Sequence, residues 1–328
     1  MQPVSKWGHD EMKGEARSRS WKVGQSTGVL VGLLVLAVAL TILTPFFLTL
    51  DNLLNVALQT ATYILVSVGM TFVIVTGGID LSVGSVAALA GVVMAMSMKA
   101  GVGVGISIML GIAAGLPCGL LNGVLVSRVG LPPFIVTLAT MSIIRGIALI
   151  LTGGIPIYGF PASFRWFGTG RIGAVPVAAV IALVVAVIGG FIFKKTKVGH
   201  YATAIGNNEE AVRLCGINVN RYKIIPYVIS GLSAAMAAIV ITGRLNTAEP
   251  LAGWMIEMDA VAAVVMGGTS LAGGRGSILG TVLGALLMGV MRNGLNLMSV
   301  QSHYQQLAMG AVILVAVLLD KMRDQTRS

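Results

Sequence analysis

The residues of this chain that could do chemistry are polar and charged groups set within or beside apolar stretches. Ionisable and amide groups are costly in a hydrocarbon environment, so each one is by default a candidate for a functional site. We treat them as candidates to line a path for a solute. They are Asp80, Ser82, Asn122, Thr137, Arg145, Glu257, Asp259, Asn293 and Asn296.

Structural roles compete with this interpretation at several of these positions. Asp80 or Ser82 could cap the helix that follows the Gly77-Gly78 pair, and a cap is compatible with solute contact. Glu257 and Asp259 lead a short apolar segment, where the helix dipole favours acids. An arginine cannot lose its charge, so we expect Arg145 to lie in a cavity or, preferably, in a structural ion pair.

The arrangement of reactive side chains argues against an enzyme. The histidines, His9, His200 and His303, share no metal-ligand spacing, and neither a Ser/His nor a paired-carboxylate pattern is present. The glycine-rich run 267–276 lacks the Lys-Ser/Thr ending of a phosphate loop. We therefore predict no catalytic residue, no metal and no cofactor bound by this chain.

The composition places these residues in a membrane protein with many spans. Of 328 residues, 56% are hydrophobic and 10% charged, with a mean hydropathy of +0.91. A spanning helix needs about 20 apolar residues. Ten segments qualify, the eighth being short enough for a half-helix: Gly28–Phe47, Leu53–Thr76, Leu81–Met98, Val102–Val126, Pro133–Thr152, Val175–Phe193, Tyr222–Gly243, Ile256–Gly268, Ile278–Met298 and Tyr304–Asp320.

The net charge of +10 reflects topology and not nucleic-acid binding. Lys and Arg concentrate in the N-terminal tail, the central polar loop and the C-terminal tail, as the positive-inside rule requires. We predict that both termini are cytoplasmic. The domain division is a polar tail over 1–27, a membrane domain over 28–320 and a second tail over 321–328.

The loop 194–226 is the longest polar stretch after the N-terminal tail. Asn207 with Glu210 three residues later fits a capping box, and Gly216 can end a helix in the left-handed conformation. We predict a helix over Asn208–Cys215. It is too short to be stable alone, so the membrane domain or a partner must hold it.

One predicted span carries a glycine at every fourth position: Gly111, Gly115, Gly119 and Gly123. Such a stripe lets another helix approach closely. We therefore interpret it as a packing face and not as a ligand site.

Four phrases resemble a known family. Glu210-Ala211-Val212 followed by Gly216 is similar to the Glu-Ala-Ala…Gly loop of ATP-binding-cassette (ABC) importer permeases, with Val212 in place of Ala. Gly77–Ser85, Gly267–Gly276 and Asn293–Leu297 resemble the monosaccharide (ribose-type) branch of that family. The resemblance extends from about Leu48 to Asp320.

The resemblance implies an all-α bundle of about ten segments, some short or broken, of the type II-like importer class. It also implies a sugar-importing permease subunit of the bacterial inner membrane. Its partners would be a cytoplasmic ATPase that binds ATP and Mg²⁺, a periplasmic sugar-binding protein and a second permease copy or sister permease, in a lipid bilayer. Residues expected to couple to the ATPase are Gly206, Asn207, Asn208, Glu209, Glu210, Ala211, Arg213 and Gly216.

An ion-gradient-driven sugar transporter is the alternative. It would also have many spans, but it would more typically carry a carboxylate pair or a histidine relay within them, and Asp80 alone does not supply one.

Overall fold

The chain folds into a bundle of helices with very little sheet in its described part. The structure, a computed structural model, describes residues 25–325, except for the side chains of 25, 26, 316, 317 and 319–325. Most residues of the two predicted tails, 1–27 and 321–328, therefore have no described side chain. The described helices are α1 Gln25–Leu43, α2 Leu50–Val75, α3 Val83–Lys99, α4 Val104–Ser127, α5 Pro133–Thr152, α6 Ala162–Thr169, α7 Val177–Lys195, α8 Lys197–Asn207, α9 Glu209–Leu214, α10 Val219–Leu245, α11 Ile256–Met266, α12 Ile278–Leu297 and α13 Ser302–Gln325.

All ten predicted apolar segments coincide with helices, which confirms the predicted fold class. Six of these helices are long and apolar enough to cross a membrane: α2, α4, α5, α7, α10 and α12. The short eighth segment is the 11-residue helix α11. Two helices outside the apolar segments, α6 and α8, were not predicted, because the sequence analysis searched for apolar runs and these helices are more polar.

Short strands lie at one end of the bundle: β1 Ile157–Tyr158, β2 Arg171–Ile172, β3 Val175–Pro176 and β4 Thr247–Ala248. β1 pairs antiparallel with β4, with Ile157 opposite Ala248, and β2 pairs with β3. Helix α6 packs here against the end of α10, so we name this the α6 end. The helix α9 lies at the start of α10, about 40 Å away along that helix, at what we name the α9 end.

The core surrounds α2. Every residue from Thr60 to Thr76 except Ile64 is buried, and α2 contacts α7, α10, α11 and α12. A helix buried on all sides must be apolar all round, which explains why its hydrophobic run shows no polar face. By contrast, α4, α5 and α7 expose broad apolar faces, which suits contact with lipid.

The glycine stripe of α4 lies in helix contacts. A Cβ added at Gly115 or Gly119 would meet backbone atoms of α10, at Gly231 and Tyr227 respectively. At Gly123 it would meet the Cα of Ile224, also on α10, whereas at Gly111 it would meet Met94 of α3. Because backbone cannot move aside cheaply, these positions require glycine.

We expect Gly119→Ala to lower the stability of the bundle by about 1–3 kcal/mol, since the added methyl has no room against α10. Thermal unfolding in detergent micelles measures this. The matched control is Gly105→Ala in the same helix, where nothing lies within 4 Å of the added atom. Equal unfolding temperatures for both variants would contradict close packing at Gly119.

Candidate functional site

The polar loop 194–226 forms two consecutive helices, α8 and α9, joined by the single residue Asn208. Thr196 caps α8 by accepting from Val198 N at 3.2 Å. Asn208 caps α9 by accepting from Ala211 N at 2.9 Å. The helix predicted at 208–215 therefore forms, shortened by one residue at each end, and Gly216 follows it at φ +77°.

The predicted N-cap at Asn207 is wrong. Asn207 ends α8, and its Nδ2 donates to Gly274 O at 3.1 Å and to Thr203 O at 2.9 Å. Glu210 pairs with Arg213 at 3.3 Å. Asn207 and Asn208 are both good capping residues, and only the docking of α8 on the loop at Gly274 decides between them.

Apolar and charged contacts hold α9 on the bundle. Val212 is buried in a small cluster with Ile205 of α8 and Val219 of α10. Glu209 bridges Arg213 at 2.9 Å and Lys223 of α10 at 2.9 Å. The remaining face is open to solvent: the side chain of Glu210 is 67% exposed, and Ala211 is exposed too.

The end of α8 packs against the end of α2 and the loop 267–277 before α12. A Cβ at Gly206 would meet Val75 O and Gly274 N. Gly274 N itself donates to Val75 O at 2.8 Å. One contact point therefore joins α8, the end of α2 and the loop before α12, and only a residue without a side chain fits there.

The loop 76–82 leads from this contact to a buried polar cluster around Asp80, which is 1% exposed. Its Oδ1 accepts from Ser82 N at 3.0 Å and from Ser82 Oγ at 2.6 Å. Its Oδ2 accepts from Ser230 Oγ at 2.7 Å. Asn122 Nδ2 donates to Ser82 Oγ at 2.8 Å, with a longer 3.4 Å contact to Oδ1. The carboxyl thus ties the start of α3 to α4 and α10.

Neighbouring groups extend the Asp80 cluster. Thr137 of α5 donates to Ile79 O at 3.1 Å. The oxygen atoms of Asn122 (Oδ1) and Tyr227 (the hydroxyl) are buried without a hydrogen-bond partner among the described residues. The sequence analysis missed Ser230 and Tyr227, because a serine and a tyrosine in an ordinary span carry no signal of their own. Four predicted path residues, Asp80, Ser82, Asn122 and Thr137, therefore lie together.

The ion pair expected for Arg145 is not among the salt bridges of the described residues. Instead, Arg145 Nη1 donates to Pro250 O at 2.9 Å and to Ala252 O at 2.7 Å. The sequence could not indicate this, because the acceptors are backbone carbonyls 105 and 107 residues away.

The other candidates form separate contacts and do not join Asp80. Glu257 and Asp259 lie buried in the first turn of α11, and Asp259 pairs with Arg292 at 2.9 Å. Arg292 lies 5.4 Å from the centre of the Tyr63 ring. Asn293 exchanges two hydrogen bonds with Asn52, and Asn296 accepts from Gln305.

The bundle and this site together define an integral-membrane transport subunit: spans broken near buried polar groups, and a capped polar helix pair joined to the loops that carry them. The chain belongs to the family described as "Branched-chain amino acid transport system / permease component", whose model matches residues 52–317. It is a permease component and not an enzyme, and it is a multi-pass protein of the inner membrane.

Curated relatives are similar along nearly the whole chain. "Ribose import permease protein RbsC" of Bacillus subtilis (strain 168) is 45% identical over 304 residues, 92% of this chain and 94% of the relative. The protein of the same name from Escherichia coli (strain K12) is 43% identical over 311 residues, 94% and 96% of the two chains. "D-allose transport system permease protein AlsC" of Escherichia coli (strain K12) is 40% identical over 278 residues, 84% and 85%. These identities confirm the resemblance to the monosaccharide permeases. No solved structure gives a significant match.

Proposed function

We propose that this chain is the membrane-spanning subunit of an ABC importer that moves ribose or a related monosaccharide into the cytoplasm. The solute class rests on the relatives: 45% identity over 92% of this chain joins it to a ribose permease, and 40% identity joins it to an allose permease. We assign alternating access as the mechanism, driven by a partner ATPase that binds ATP and Mg²⁺.

The observation that supports an ATPase-driven mechanism is the way in which α8 and α9 pack on the bundle. Two helices lie outside the spans, are fixed to α10 by Lys223 and Val219, and touch the end of α2 through Gly206. A displacement of α9 would be transmitted to the core helix α2 through packed backbone and not through a flexible linker. A two-state element with such a stiff connection is what coupling requires.

The proposed assembly places the α9 end and both termini in the cytoplasm, because Lys and Arg concentrate there. A secreted sugar-binding protein docks at the opposite α6 end, and a second permease copy, identical or a sister chain, completes the path.

Reconstitution tests the proposal. Proteoliposomes that contain this chain, its ATPase and its sugar-binding protein should accumulate labelled ribose or allose only with ATP and both partners. Uptake by this chain alone, driven by a proton or sodium gradient, would instead identify a secondary transporter.

We expect Glu210→Lys to abolish ATP-driven uptake while insertion into the membrane stays normal. The ion pair of Glu210 with Arg213 is exposed and contributes at most about 1 kcal/mol to stability, so the fold should survive. The charge reversal lies on the open face of α9, where the ATPase would dock.

The control is Lys195→Glu, also a charge reversal at an exposed position, at the last residue of α7 and outside α9. Uptake and ATP hydrolysis should both be near normal for this control. Normal uptake by Glu210→Lys would contradict docking at α9.

A further inference from the structure

The segment between β4 and α11, residues 249–255, enters the bundle from the α6 end. Gly253 lies against Gly84, where an added Cβ would be 3.0 Å from Gly84 O. Gly84 lies about 15 residues before Lys99, so it is about 22 Å deeper along α3. Lys99 Nζ binds Gly159 O at the α6 end. Since a hydrocarbon core is about 30 Å thick, the segment reaches inside the membrane.

Three contacts fix one side of this segment. β4 pairs with β1 at its entrance, Arg145 binds the carbonyls of Pro250 and Ala252, and Gly253 packs on Gly84. The backbone then turns sharply, with φ +71° at Gly253 and +67° at Met255, to start α11. A non-glycine residue in this conformation is held there by its surroundings.

The opposite side of the segment carries Trp254, whose relative exposure is 72%. Non-helical backbone at membrane depth is tolerated only where protein buries it or where it lines a water-filled cavity, because lipid cannot satisfy its polar groups. This chain does not bury the side of the segment that carries Trp254, and we assign that side to a water-filled cavity and not to lipid.

The surroundings of Trp254 match the chemistry of sugar recognition. Arg145, which holds the carbonyl two residues before Trp254, is half-buried, and Ser142 lies one turn earlier on the same face of α5 and is exposed. A Cβ at Gly146 would meet nothing within 4 Å, so this face of α5 has open space beside it. An indole offers a flat apolar surface for the C–H face of a sugar ring. A guanidinium and a hydroxyl offer hydrogen bonds to sugar hydroxyls.

We propose that Trp254 is a monosaccharide-contacting residue on the translocation path, presented there by the segment 249–255 and positioned by Arg145. This inference rests on the proposed sugar import, and it adds a residue that the sequence analysis did not select.

Water accessibility tests the placement without any sugar. In the complete transporter, with Cys118→Ala and Cys215→Ser removing both free thiols, Trp254→Cys should react with a charged, membrane-impermeant methanethiosulfonate. The control Leu183→Cys lies 63% exposed on the apolar face of α7 and should not react.

Two results would overturn this placement. Labelling of Trp254→Cys only by an apolar maleimide would place the side chain in lipid. A spontaneous disulfide between the introduced thiols of two permease copies, without labelling, would place it at an interface between them.

Uptake tests the contact itself. In proteoliposomes with the ATPase and the sugar-binding protein, Trp254→Leu should lower ribose or allose uptake about tenfold, because the aromatic surface is lost. Trp254→Phe should stay within about twofold of wild type by the same argument. ATP hydrolysis should be unchanged in both, which shows that the complex is folded and coupled. Phe191→Leu, at an exposed aromatic residue on the apolar face of α7, is the control.

The outcomes separate this inference from the proposed function. Wild-type uptake with an unaffected Trp254→Leu variant overturns the sugar contact alone. A wild type that imports no monosaccharide, although Trp254→Cys is labelled from water, overturns the proposed substrate and with it the sugar contact.

Discussion

Gly206→Ala should reduce ATP-driven sugar uptake at least about tenfold and leave the membrane bundle assembled. The added methyl would meet Val75 O and Gly274 N, which are backbone atoms already bonded to each other. These backbone atoms cannot move aside as a side chain can, so α8 must move away from the end of α2 and from the loop 267–277. Overpacking of this kind typically costs about 1–3 kcal/mol, which changes a docked population by about fivefold to more than a hundredfold.

The measurement is ribose or allose uptake in proteoliposomes together with stimulation of ATP hydrolysis by the sugar-binding protein. Both should fall, while size-exclusion elution of the permease remains normal. Gly190→Ala in α7 is the control, because the nearest atom to its added methyl is 4.0 Å away. Normal uptake and normal stimulation of ATP hydrolysis in Gly206→Ala would show that the contact of α8 with α2 does not couple the ATPase to transport.

Asp80→Ala should be the most destabilising of the substitutions considered. Removing the carboxyl leaves Ser82 N, Ser82 Oγ and Ser230 Oγ buried without their acceptor. A buried donor left unpaired costs about 1–3 kcal/mol, so we expect a loss of about 3 kcal/mol or more in the free energy of unfolding. The expression level and the unfolding temperature in detergent micelles should both fall.

Two further variants show how much of the lost free energy of unfolding comes from the charge of Asp80 and how much from its hydrogen bond with Ser230. Asp80→Asn keeps the shape and one acceptor oxygen, so it should lose only the charge-assisted part, about 1 kcal/mol. Ser230→Ala removes one donor of the cluster and should cost a similar amount. If Asp80→Ala unfolds at the wild-type temperature, the hydrogen bonds around Asp80 do not stabilise the contacts of α3 with α4 and α10.

Much of the fold could be predicted from the sequence because its signals are local. A run of apolar residues specifies a span, a glycine with an asparagine nearby specifies the ends of a short helix, and repeated glycines at intervals of four specify a close helix face. The breaks at Gly77-Gly78 and before α11 were predictable for the same reason, since each needs only neighbouring residues.

The candidate site was less predictable because its contacts join distant parts of the chain. Asp80 and Ser230 meet although they are 150 residues apart. Arg145 was expected to line a cavity or, preferably, to form an ion pair, and it binds two backbone carbonyls, which no residue type in the sequence can indicate. Asn293 and Asn296 were grouped with Asp80 by type alone, yet they bond elsewhere.

The sequence by itself therefore determined that this protein is a multi-span helical membrane protein with a capped polar helix in its central loop, since composition, periodicity and caps act over a few residues, and the permease role followed from its resemblance to the ABC importer permeases. Only the tertiary structure decided that Gly206 packs α8 on the end of α2, that Asp80 is enclosed by hydroxyl and amide donors, and that Trp254 lies exposed on a non-helical segment inside the bundle. Those facts depend on which backbones approach each other, and no local pattern encodes that approach.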